Sequence, residues 1–138
     1  MIDYRILPEH KLIAICNWGE SSVEEITHFS LKLRCDPDFS QSFDAIVDTT
    51  DLQRHFSKDD IDELSNPRID INIPAGRLAV IASTDIMFGV SRMHELISET
   101  KSPLNINVFR DLWSALKWLD REDIDVENIF KAIKKQIT

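Results

Sequence analysis

The chain has 138 residues, 43% of them apolar and 29% charged, the profile of one globular domain long enough to bury a sizeable core. Its net charge is −8: residues 1–120 carry 12 Lys/Arg against 20 Asp/Glu, and residues 121–138 carry four of each. Phosphate backbones repel such a surface, so nucleic acid is excluded as a partner. No apolar run approaches the ~20 residues of a membrane span. Met1–Lys11 (MIDYRILPEHK) lacks a basic region leading into an apolar run and a cleavage site, so a cytoplasmic protein is expected.

Residues 2–7 and 11–17 are two β-prone runs separated by Pro8-Glu9-His10, which predicts an opening hairpin. Ser22-Val23-Glu24-Glu25 has the form of a capping box, with Glu25 reaching back to the Ser22 backbone. The helix it starts aligns Val23, Ile26, Phe29 or Ser30, and Leu33, and Asp36-Pro37 ends it. Phe43–Val47 predicts a third strand, apolar as expected when both faces are covered. A short helix is expected from Ser57 to about Leu64, then a loop over residues 65–76. Leu78–Ala82 predicts a fourth, buried strand. Ser83, Thr84 and Asp85 can cap a helix in which Ile86, Val90, Met93 and Ile97 form an apolar stripe. Leu104–Phe109 predicts a fifth strand, and Leu112, Ala115, Leu116 and Leu119 mark the helix that follows.

The tail, residues 121–138, reads as an extension of the domain at 1–120. Asp125 can cap a helix with Val126, Ile129, Phe130, Ile133 and Ile137 on one face. Its acidic start and basic end (Lys131, Lys134, Lys135) match the helix dipole. Strands alternating with helices imply an α/β fold: a mixed, mostly parallel five-stranded sheet with an N-terminal hairpin and flanking helices.

Four passages carry a family resemblance: Asp36-Pro37-Asp38-Phe39, Phe43–Asp48, Phe88–Met93, and Val108–Asp111 with Ala115 and Trp118-Leu119. In this order they resemble the small bacterial proteins with the SpoIIAA-like fold, related to STAS domains and to CRAL-TRIO lipid-binding domains. The resemblance covers roughly residues 1–120. It implies a non-enzymatic regulatory or protein-interaction module like the anti-sigma-factor antagonists. The CRAL-TRIO side of the group implies the alternative, a small apolar-ligand or lipid-binding protein. In the antagonists a Ser at a helix start after the third strand is phosphorylated, and Ser57 stands in about that place. The Asp-Ser-Ser-Gly kind of sequence expected there is absent. Lys58-Asp59-Asp60 follow instead, and their carboxylates would repel a phosphate, so Ser57 reads first as an N-cap.

Ligands of open α/β sheets gather at the carboxyl ends of the strands. Those ends offer Asp48 and Asp51, then Ser83, Thr84 and Asp85, then Arg110 and Asp111. Asp48, Ser83 or Thr84, and Arg110 imitate the order of a response-regulator receiver. Asn17-Trp18-Gly19-Glu20 supplies no acidic pair, however, and Arg replaces the required Lys. His10, His28, His55 and His94 have no metal-ligand spacing, no GxSxG or glycine-rich phosphate loop occurs, and Cys16 and Cys35 lack CxxC spacing. Neither a cofactor nor a metal is called for. Gly89, inside a helix, marks a close approach, with Phe88 and Arg92 beside it as an interaction surface. Trp113 and Trp118 are too far from a common helical face for both to be buried, and Trp118 joins that surface. The partners to expect are an unidentified protein, a second copy of the chain, or an apolar ligand.

Overall fold

The computed structural model describes residues 1–40, 42–52, 59, 76–82 and 105–137. β1 (Ile2–Leu7) and β2 (Leu12–Asn17) form the expected hairpin, joined by a 3₁₀ turn at Pro8–His10. β3 (Asp44–Asp48), β4 (Arg77–Ile81) and β5 (Asn105–Phe109) follow, each within one residue of its predicted bounds. The sheet order is β1-β2-β3-β4-β5, antiparallel at the first pair and parallel thereafter. β3 and β4 are therefore central neighbours, which is why their runs are apolar.

Among the described residues, three helices flank the sheet. α1 (Val23–Arg34) starts at Ser22, whose Oγ accepts the Glu25 backbone N–H at 3.1 Å. Only this half of the capping box forms: the Glu25 carboxylate faces the Met1 amino group instead, at 3.5 Å. α2 (Leu112–Trp118) is capped by Asp111, which accepts the Ser114 N–H at 2.8 Å. α3 (Val126–Ile137) has Asp125 at its start, accepting from Asn128 N and Nδ2.

Alternation along the strands divides the core between the two faces. Ile13, Ile15 and Ala45 meet Phe29 and Leu33 of α1 on one side. Leu12, Ala14, Cys16, Ile46, Ala79 and Ile81 meet α2 and α3 on the other. The tail helix is thus part of the main core: Val126, Phe130 and Ile133 are buried with β2, β3 and β4, and Ile129 is partly buried against them. The predicted helices after Ser57 and after Asp85, with Ser57, Ser83, Thr84, Asp85, Phe88, Gly89 and Arg92, lie outside the described residues.

Candidate functional site

β3 ends at Asp48 on the face covered by α3. Its side chain is only 9% exposed. Asp48 Oδ1 accepts the Thr50 N–H at 2.9 Å and the Thr50 hydroxyl; Oδ2 accepts from Lys134 Nζ at 3.1 Å. The same ammonium donates to Asp51 at 2.7 Å. Burial opposes the charge on Lys134, but the hydrogen bonds to Asp51 and Asp48 outweigh it and hold the lysine above its ordinary range. Beneath this bridge the buried Cys16 Sγ donates to the Phe130 carbonyl at 3.7 Å. Burial first, then the Asp48 charge, pushes its thiol up to about 12, so it is not a nucleophile at neutral pH. Thr49 ties the ends of β3 and β4 together, its hydroxyl donating to the Ile81 carbonyl at 2.6 Å.

An open cleft of about 410 Å³ adjoins the bridge, lined on its polar side by Asp48, Thr50, Arg110, Asp111, Lys131 and Lys134. The strand-end residues Asp48, Arg110 and Asp111 do come together. The cation on Asp48, though, is Lys134 from α3, a residue that the sequence reading assigned to the helix dipole alone. The receiver-like order of groups therefore corresponds to a different arrangement. A clue was available: Lys134 lies beside Ile133 and one turn after Phe130, at the border of the buried stripe, where a lysine can reach a strand-end acid. Among the described residues, no group of three or more His, Cys, Asp and Glu is placed to hold a metal ion. His10 sits in the hairpin turn and His28 on α1; His55 and His94 lie outside the described residues.

The opposite end of β3 holds a denser network. Asp44 Oδ2 accepts from Arg121 at 2.8 Å and Arg77 at 3.2 Å, and Oδ1 accepts the Arg77 backbone N–H at 2.7 Å. Arg121 also donates to the carbonyls of His10, Lys11 and Leu119, and Arg77 to those of Trp118 and Leu119. Gly76 lies so close that an added Cβ would stand 2.6 Å from Asp44 Oδ1 and 2.7 Å from the Phe43 carbonyl. This network staples the hairpin turn, two strand starts and the segment after α2. Its geometry is structural.

The two tryptophans of α2 differ. Trp118 is half-buried, its ring 5.6 Å from that of Phe109 and the Arg77 guanidinium 5.6 Å from its centroid. Trp113 is 58% exposed. It stands at a second open groove of about 450 Å³ between α2 and the start of α3. The groove's apolar wall is Leu112, Trp113, Leu116 and Ile124; its polar rim is Glu122, Asp123, Asp125 and Glu127. The sequence reading anticipated an exposed tryptophan here and chose Trp118 for the interaction surface. The structure leaves Trp118 partly exposed and Trp113 the more exposed of the two.

No helix among the described residues is long and apolar enough to cross a membrane. Comparison with protein-family models, with curated proteins and with solved structures finds no match for this chain.

Proposed function

We propose that this chain is a non-enzymatic regulatory module that acts by binding another protein, the role implied by its resemblance to anti-sigma-factor antagonists and STAS domains. One observation carries this reading: a tryptophan 58% exposed beside an apolar groove. Exposing a large aromatic on a charged surface gains nothing for the isolated fold, and tryptophan is the residue most enriched among binding hot spots. At the sheet end where α/β folds place chemistry, the strand-end acid is engaged by Lys134 and Thr50, and the nearby thiol is held protonated.

The test is affinity purification of the tagged full chain and its Trp113→Ala variant from the native host, with native mass spectrometry of both. A protein recovered with the parent, lost with the variant, and recovering the parent in the reciprocal experiment supports the reading. A co-purified lipid with no such protein would favour an apolar-ligand carrier and overturn it.

A further inference from the structure

The groove beside Trp113 also indicates what its partner should look like. Its four rim residues are all carboxylates, and two of them have structural roles. Asp125 caps α3, and Glu127 pairs with Lys131 at 3.4 Å. Glu122 and Asp123 have neither: both are exposed, and neither makes a side-chain hydrogen bond or ion pair among the described residues. They sit in the turn between α2 and α3, where Arg121 is turned away into the Asp44 network. The groove thus has an apolar wall, an acidic rim, and no lining cation.

We propose that this groove receives a cationic amphipathic segment of a partner protein, its apolar side chains against Trp113, Leu112, Leu116 and Ile124, and its Lys or Arg residues among Glu122, Asp123, Asp125 and Glu127. The inference rests on the protein-binding reading and adds the chemistry of the partner. Carboxylates around a groove attract cations and steer them on approach. An arginine can also lie over the exposed indole face. An anionic membrane surface would be repelled by the same rim. A second copy of the chain brings the same −8 charge to the encounter.

The probe is a dye-labelled amphipathic peptide of about 14 residues, with a leucine stripe and a Lys/Arg polar face. It is compared with a glutamate-faced counterpart and with a scrambled peptide of the basic composition, using fluorescence anisotropy with the full chain. The basic amphipathic peptide should bind at least about tenfold tighter than either control, and Trp113→Ala should weaken it about tenfold. Glu122→Gln with Asp123→Asn should weaken it several-fold. The affinity should also fall as ionic strength rises from about 0.1 M to about 1 M, where the screening length shrinks from about 10 to about 3 Å. Removing two carboxylates at the entry to α1, on the other face of the sheet, by Glu20→Gln with Glu24→Gln, should leave it unchanged.

Equal losses from both double variants would show diffuse attraction to an acidic chain and overturn the proposal. Tighter binding of the glutamate-faced peptide, still dependent on Trp113, would overturn the cationic partner while leaving the protein-binding reading in place. Self-association that Trp113→Ala abolishes would make the occupant a second copy, and would also overturn it. If no peptide binds and affinity purification recovers no protein with the parent, the protein-binding reading fails as well, whereas a partner that Trp113→Ala still captures binds elsewhere and overturns the groove alone. Melting temperatures of all variants confirm that each is folded.

Discussion

β3 begins and ends with an aspartate on the same face of the sheet, and the two ends use the residue differently. At the amino end Asp44 is clamped by two guanidiniums that also donate to backbone carbonyls, Arg77 pairing in addition with Asp120 at 3.6 Å. At the carboxyl end Asp48 shares one ammonium with Asp51, and Lys134, at 24% side-chain exposure, borders an open cleft. Guanidinium is a rigid fork, always charged, and suits permanent architecture; ammonium is a compact charge on a flexible stem. The amino end is therefore a structural staple and the carboxyl end a replaceable bridge.

The sharpest way to break this comparison is by stability. Asp44→Ala should cost about 3 kcal/mol by urea denaturation, because it removes the carboxylate that the largely buried Arg121 shares with Arg77 and leaves Arg77 only its pair with the exposed Asp120. Gly76→Ala should cost about 2 kcal/mol, since the new Cβ meets backbone as well as Asp44. Lys134→Met should cost only about 1–2 kcal/mol at neutral pH, because Asp48 keeps its Thr50 donors. Equal losses at the two ends would erase the distinction.

The pH dependence sharpens the comparison further. The Lys134 pKa is raised on folding, so its contribution is complete below the ordinary lysine value of about 10.4 and is lost as pH climbs above it. Tyr4, held above its usual range by burial and its bond to Asp36, acts in the same direction. The informative measurement is therefore the difference between parent and Lys134→Met, which should narrow at high pH. Cys16 gives a second window. Its unfolded thiol ionises near 8.5 and its folded one at about 12, so stability should fall across that interval in the parent and much less in Cys16→Ala. At neutral pH an alkylating reagent should modify the exposed Cys35 and leave Cys16 untouched. The smallest effect is expected at Asp120, which follows α2 with φ 58°. Asp120→Gly relieves that backbone strain, while the entropy of glycine and the loss of the exposed pair with Arg77 offset the gain, leaving a net change of about 0.5 kcal/mol or less by thermal melting.

What was legible beforehand follows from the range of the forces involved. The hairpin, the apolar strands, the Ser22 and Asp125 caps and the amphipathic tail helix are all encoded within a few residues, and they appear at their predicted places. Asp48 was identifiable as a strand-end acid. Its partner was signalled only as a lysine at the border of the buried stripe, because Lys134 is 86 residues away and only folding brings the two together. The Asp44 staple was invisible for the same reason: Arg77 and Arg121 lie 33 and 77 residues off, each looking like an ordinary surface charge. Choosing between Trp113 and Trp118 required knowing that β5 supplies Phe109 to cover the second. Periodicity showed that the two rings diverge, but not which one the sheet would shield.

The long reach of α3 also shapes how this protein is made. The Phe130 carbonyl meets Cys16 across 114 residues of chain. While a ribosome extends the chain, the β1–β2 hairpin can form early, yet the face bearing Leu12, Ala14 and Cys16 stays uncovered until residues 126–133 emerge. Until α3 has been made, the nascent chain lacks its cover over that apolar strip, a window for aggregation or chaperone capture that narrows as α3 settles.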